Sequence, residues 1–174
     1  MITDLHYQNS DGIMLKGKLN GKEISVCFDD ILPYWEYATE DDFERGSARI
    51  FGNKILFTII TAKGQGGIVV LWNAETRKIE HISDACFTLA FDMDEHYIYF
   101  LKDVCYWGMK ANLQIWKIPL GCMDAWKEAD RVNTTKLPSA DFTIQDDDTF
   151  SIKKRNQQFE LKIKNHTYIV DLLI

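Results

Sequence analysis

Short runs of alternating or β-rich residues, separated by turn residues, occupy most of the chain. Residues 14–19 and 22–28 are two such runs, and they flank Asn20-Gly21, a dipeptide typical of a two-residue β-hairpin turn. Residues 68–72 form an apolar run that ends in Trp72, after which a polar turn leads into another alternating run. This pattern predicts an all-β protein with antiparallel strands.

Similar strand sequences recur along the chain from residue 47 onward. The run NKILF at 53–57 is followed 43 residues later by HYIYF at 96–100, and FTL at 87–89 is followed 55 residues later by FTI at 142–144. Repeats of about 40–45 residues with four strands each are typical of β-propeller blades. The recurrences predict repeat units at 45–86, 87–141 and 142–174, the last of them short.

Residues 47–174 therefore resemble the blades of β-propellers. The resemblance implies antiparallel four-stranded blade-like units that form a small or incomplete β-propeller. An antiparallel β-sandwich or barrel is the alternative, and it requires no repeat. We expect one domain over 1–174, with an irregular N-terminal hairpin and acidic-aromatic segment at 1–46 before the blade-like repeats.

The middle unit shows its elements most clearly. Four strands are predicted, at 86–91, 97–107, 112–119 and 131–137. Between the third and the fourth, residues 121–130 contain Asp124 near the start, with Trp126 and Ala129 spaced to share one face. This spacing predicts a short inserted helix over 121–130, which makes this unit longer than the one before it.

The bulk composition narrows the class of protein. With 174 residues, of which 46% are hydrophobic, the chain is long enough for one well-filled core. It contains no apolar run of bilayer length and no N-terminal secretory pattern, so we expect a cytoplasmic protein. Four scattered cysteines, at positions 27, 86, 105 and 122, lack zinc or disulfide-framework spacing and predict reduced thiols.

The net charge is concentrated in one short segment. Residues 29–44 hold seven acids and neither Lys nor Arg, whereas the formal net charge of the whole chain is −6. The segment contributes −7, so all other residues together carry +1. Solubility alone does not require such a concentration of charge.

Aromatic residues alternate with these acids, and together they predict a protein-binding surface. Trp and Tyr are frequent interface anchors, and concentrated negative charge speeds association with a basic partner. Thr39 is placed to cap one helical turn within 37–44. A solvated loop whose aromatics cover the core from outside is the alternative. The predicted partner-binding residues are Asp29, Asp30, Trp35, Glu36, Tyr37, Glu40, Asp41, Asp42 and Glu44.

In size, charge and the 29–44 segment, the chain is similar in kind to small acidic bacterial immunity proteins, which block the nuclease domains of toxins. The resemblance implies a non-enzymatic module that occludes a basic partner, with Asp41, Asp42 and Glu44 meeting its Lys or Arg residues and with Trp35 and Tyr37 as anchors. It implies no cofactor, metal, membrane or direct nucleic-acid contact. The alternatives are a self-associating propeller fragment, for which a homo-oligomer is expected, and a carbohydrate-binding or hydrolytic propeller that stacks sugars on Tyr106, Trp107 and Trp116.

Other motifs favour structural explanations. The run Gly64-Gln65-Gly66-Gly67 lacks the Gly-Lys-Ser/Thr ending of a phosphate-binding loop and precedes a strand, so it predicts a hairpin turn. The acidic turns at 92–96 and 146–148 lack the offsets of a calcium loop. The basic run 153–155 predicts a solvated strand face opposite Glu160.

Overall fold

The protein is described here by a computed structural model, which covers residues 1–35, 47–60, 67–105, 110–138, 143–144 and 148–173. Within these ranges the chain forms antiparallel strands and one 3-10 turn, and no α-helix. The strands are arranged in four sheets of three or four strands each. The predicted all-β class with antiparallel strands is therefore confirmed. No helix in the described ranges has the length and apolar character needed to cross a bilayer.

The four sheets follow one another along the chain, and each is an up-and-down meander. Sheet 1 contains β1 (Ile2–Ser10), β2 (Ile13–Leu19) and β3 (Lys22–Cys27). Sheet 2 contains β4 (Ala48–Phe51), β5 (Lys54–Ile60), β6 (Gly67–Asn73) and β7 (Lys78–Asp84). Sheet 3 contains β8 (Thr88–Met93), β9 (Tyr97–Asp103), β10 (Leu113–Pro119) and β11 (Asp130–Arg131). Sheet 4 contains β12 (Phe150–Arg155), β13 (Gln158–Ile163) and β14 (His166–Asp171).

Sheets 2, 3 and 4 fall inside the three predicted repeat units. The strands on either side of the hairpin turn predicted at 64–67 pair antiparallel, with Ile60 at the end of β5 opposite Gly67 at the start of β6. The glycine-rich residues 64–66 lie outside the described residues. The sequence repeat thus corresponds to a repeated antiparallel meander.

Sheet 1 is more regular than the sequence predicted for residues 1–46. The predicted hairpin at Asn20-Gly21 is confirmed, with Leu19 paired to Lys22 and both turn residues at positive φ, 51° and 81°. A second turn of the same kind at Asp11-Gly12, with φ of 57° and 71°, adds β1 as a third strand. Two left-handed residues in succession match the twist of paired strands.

The chain divides into two compact units, Met1–Cys86 with Gly121–Lys127 as unit 1, and Phe87–Leu120 with Glu128–Ile174 as unit 2. In unit 1, sheets 1 and 2 share a core that includes Met14, Phe57 and Trp72. Every residue of β6 is buried. This explains the continuous apolar run in the sequence, because a strand buried on both faces has no polar side to alternate with.

Tyr7 connects sheet 1 to sheet 2 within unit 1. Its hydroxyl lies 2.9 Å from the carbonyl oxygens of both Ser47 and Thr58, which share its one proton. The Thr58 hydroxyl in turn accepts a hydrogen bond from the Ser47 N–H at 3.0 Å. These bonds hold Ser47 and Thr58 against β1.

In unit 2, sheets 3 and 4 share a second core. The rings of Tyr99 on β9 and Phe159 on β13 meet edge to face, with 5.2 Å between their centroids. The Lys154 N–H on β12 donates to the Asp92 carboxylate on β8 at 2.8 Å. After β11 the chain reaches sheet 4, where Thr134 bridges Leu172. The single domain expected over 1–174 stays a prediction.

The predicted helix over 121–130 is wrong. Residues 121–127 form an irregular strap on unit 1, in which the Cys122 carbonyl accepts a hydrogen bond from the Ile82 N–H of β7 at 2.8 Å. Asp124 caps a single turn by accepting from the Trp126 N–H at 3.0 Å, and Ala125 enters the unit 1 core. A short isolated helix is marginal, and here a bond to the sheet and burial of one alanine determine the backbone instead.

Candidate protein-binding surface

The first two acids of the predicted segment lie on a short, well-fixed turn. Residues Phe28–Asp30 form the 3-10 turn that follows β3, and both Asp29 and Asp30 are exposed. The Asp30 carboxylate accepts from the Cys27 N–H at 3.1 Å, and the Phe28 N–H donates to the Gly12 carbonyl at 2.8 Å. The turn is thus tied both to its own strand and to the β1–β2 turn, while Asp29 projects a charge into solvent.

Trp35 lies in the core instead of on the surface. Its side chain is only 3% exposed and belongs to the unit 1 core, together with the fully buried Ile31 one turn before it. The Trp35 N–H donates to the Ile31 carbonyl at 3.1 Å, which fixes the turn that carries the ring inward. This indole, predicted as a partner-binding anchor, is a core residue in the structure, as in the alternative of aromatics that cover the core, and its part in binding stays a prediction.

The other predicted partner-binding residues lie outside the described residues. They are Glu36, Tyr37, Glu40, Asp41, Asp42 and Glu44, and the predicted helical turn over 37–44 lies there as well. Their part in binding stays a prediction.

One aromatic residue outside the predicted set, Trp126, lies against the start of the acidic segment. The ring of Trp126, on the strap, meets the ring of Trp35 at 79° with 6.4 Å between centroids. Trp126 is 54% exposed, and Met123 on the same strap is 40% exposed. The sequence did contain a signal, because Trp126 stands among Asp124, Lys127 and Glu128 with no alternating pattern that would bury it.

The acidic turn at 92–96 is built as a structural corner. Asp94 accepts hydrogen bonds from the His96 and Tyr97 N–H groups at 2.8 and 2.9 Å and from the Tyr99 hydroxyl at 2.7 Å. Burial opposes ionisation, but these hydrogen bonds outweigh it and lower the pKa of Asp94. Within the described residues, no group of three or more His, Cys, Asp or Glu side chains could hold a metal ion.

The basic run on β12 faces a carboxylate, as predicted. Lys153 pairs across the sheet with Glu160 on β13, and the Arg155 guanidinium lies 3.4 Å from the Glu160 carboxylate. Lys164 similarly lies 3.1 Å from Asp148. These two carboxylates offset part of the positive charge on sheet 4, as expected for a solvated strand face.

A cleft of about 360 Å³ opens in unit 2, between β10 and residues 131–138. The described residues that line it include Asn112, Asn133 and Lys136, and none of them is aromatic. Trp116 on β10 donates its indole N–H to Gln114 at 3.1 Å. Among the described lining residues there is thus no ring on which a sugar could stack, and Tyr106 and Trp107, predicted for that role, lie outside the described residues.

One histidine, His81 on β7, is fully buried. Its Nε2 lies 2.8 Å from the Ser83 hydroxyl, and its Nδ1 has no hydrogen-bond partner within the described part of the chain. Burial, with a smaller contribution from the positive charge of Lys127, lowers the pKa of His81 to about 4. The imidazole is therefore neutral at pH 7 and packs as a core residue. The four cysteines form no disulfide bonds and are half-buried.

No protein-family model, curated protein or solved structure matches this chain. The proposed function therefore rests on the residues of this chain and their geometry.

Proposed function

We propose that this chain is a non-enzymatic protein-binding module that neutralises a basic partner, and specifically an immunity protein that blocks the nuclease domain of a toxin. The observation that carries the proposal is the charge distribution. Sixteen residues at 29–44 hold seven acids and no base, while the rest of the chain is close to neutral. Nuclease domains carry positive charge where they hold phosphates, so a dense set of carboxylates can occupy the same subsites.

The charge would act first on the rate of encounter. Concentrated negative potential steers a basic partner and raises its association rate above that of a neutral pair. It also rejects acidic proteins, because like charges at an interface are unfavourable. An inhibitor that must find a toxin before the toxin finds its substrate gains from both effects.

The fixed start of the segment supports the same proposal. Asp29 and Asp30 stand on a hydrogen-bonded turn, and Trp35 packs in the unit 1 core. An ordered entry point lowers the entropy lost on binding, which raises affinity without any additional contact. Trp35 thus supports the proposed surface from within.

We also propose that the four meanders are blades of a small or incomplete β-propeller and that the protein acts in the cytoplasm. Consecutive antiparallel sheets of three or four strands, repeated along the sequence, support the first proposal. A propeller carries its loops at the ends of rigid sheets, which suits display of a binding segment. An experimental structure that shows two stacked sheets in place of radial blades would contradict it.

Purified nuclease domains with a strong net positive charge, inactivated by mutation, provide the test. The wild-type chain would be immobilised beside the variant Asp41→Lys/Asp42→Lys/Glu44→Lys. A matched control, Glu75→Lys/Glu95→Lys/Asp130→Lys, changes exposed acids elsewhere and brings the formal net charge to the same value. We expect at least one domain to bind the wild type and the control but not the variant, and the wild type to inhibit its active form. Binding by none of the domains at low salt, or equal loss in both triple variants, would overturn the proposal.

A further inference from the structure

Trp126 is an unusually exposed side chain for its type. Indole rings are highly buried on average, yet Trp126 is 54% exposed and Met123 nearby is 40% exposed. Trp is also among the residues that most often dominate the binding energy of an interface, and Met adapts well to the surface of a partner. This pair is therefore a candidate contact surface.

The strap holds Trp126 on a backbone that is already ordered. Cys122 is bonded to β7 through the Ile82 N–H, and Ala125, the residue before Trp126, is 3% exposed in the unit 1 core. Asp124 caps the turn through the Trp126 N–H at 3.0 Å. The ring is thus offered to solvent from a fixed position, so a partner that covers it orders little additional chain.

Trp126 also lies beside the start of the acidic segment. Its ring contacts that of Trp35, with 6.4 Å between centroids, and Glu36 is the next residue along the chain. Asp29 and Asp30 precede Trp35 by six and five residues, and an extended chain advances at most about 3.6 Å per residue, so both exposed acids lie within about 22 Å of Trp35. A partner of ordinary interface size that meets these acids is large enough to reach the indole as well.

We propose that Trp126, flanked by Met123, is the apolar anchor of the interface with the basic partner. The proposal rests on the proposed function and names the residue that supplies its short-range affinity. The partner that fits this surface is a basic protein with an apolar pocket surrounded by Lys or Arg. The acids at 29–44 select its positive charge, and the pocket receives the indole of Trp126. The acids would govern encounter and the indole would govern dissociation.

The test compares Trp126→Ala with Phe87→Ala against the basic nuclease domain that the wild type binds. Phe87 is a matched control, because it is an aromatic residue of unit 2 with 45% exposure. We expect Trp126→Ala to weaken binding by at least about 30-fold, through faster dissociation and with an unchanged salt dependence. Phe87→Ala should leave the affinity within about threefold of wild type. Trp126→Phe, which keeps a ring against Trp35, should recover part of the loss.

A second measurement uses the wild-type protein, so its result does not depend on whether Trp126→Ala folds. In the wild-type complex, hydroxyl-radical footprinting should show protection of Trp126 and none of Phe87. Binding that persists in Trp126→Ala, together with an unprotected Trp126, would overturn the anchor while leaving the proposed function in place. If no basic nuclease domain binds the wild type, the proposed function fails and the anchor fails with it.

Discussion

At the scale of single residues, His81 makes the clearest prediction. Its imidazole is buried and its pKa is lowered to about 4, whereas an unfolded chain protonates near pH 6.5. Its contribution to stability is therefore complete above about pH 6.5 and is lost as the pH falls toward 4, because the unfolded state takes up the proton first. The shift corresponds to about 3 kcal/mol of unfolding free energy.

Urea unfolding at pH 7 and pH 4.5 measures this effect. His81→Gln can keep a polar atom near the Ser83 hydroxyl but cannot be protonated, so it should lose much of the pH dependence of wild type in this range. His166→Gln, which replaces an exposed histidine, should unfold with the wild-type pH dependence. If the free energy of unfolding of His81→Gln changes between pH 7 and pH 4.5 as much as that of wild type, other groups control the acid sensitivity.

At the scale of elements, the two turns of sheet 1 should be sensitive to residue type. Gly21 has φ of 81°, and a Cβ built there would meet no atom within 4 Å. Gly21→Ala should therefore cost about 1–2 kcal/mol from left-handed backbone strain alone, with no steric term. Denaturant unfolding gives the cost, and Ser25→Ala on the exposed side of β3 is the control, which should stay within about 0.5 kcal/mol of wild type. Equal stability of both variants would contradict the turn geometry.

Elements with strong local signals were predictable from the sequence. Recurring strand sequences located the units that contain sheets 2 to 4, and the turn dipeptide located the Asn20-Gly21 hairpin, because strand burial and positive φ leave direct marks on composition. Asp11-Gly12 is an equally strong turn signal, so β1 was also within reach of the sequence. The strap at 121–127 was not, because its bond to Ile82 and the burial of Ala125 join residues far apart in the chain.

The candidate surface was predictable in its charge but not in its aromatic part. Seven acids without a base are visible in any reading of 29–44. Whether an indole next to them faces the core or the solvent depends on tertiary packing, and the structure buries Trp35 while exposing Trp126. Polar neighbours indicate exposure for Trp126, but Trp35 also has an acidic neighbour, Glu36, and is buried, so local composition alone does not decide that choice.

At the scale of the whole molecule, most of the residues that form the cores differ from the acids that we propose bind a partner. Two cores of distinct residues hold the two units, one containing Phe57 and Trp72 and the other Leu101 and Phe159. Among the described residues of the acidic segment, those that contribute to a core are apolar, Ile31 and Trp35 among them. Charge reversal at 41, 42 and 44 should therefore change association far more than stability.

Whether the 29–44 segment steers a basic partner is decided by the association rate constant with a basic nuclease domain, measured by stopped flow at low and at high salt. We predict that wild type associates at least about tenfold faster at low salt than at high salt. Asp41→Lys/Asp42→Lys/Glu44→Lys should abolish that acceleration, whereas the control with the same net charge, Glu75→Lys/Glu95→Lys/Asp130→Lys, should retain most of it. A rate constant that is independent of salt, or that falls equally in both variants, would contradict the claim that the 29–44 segment steers a basic partner.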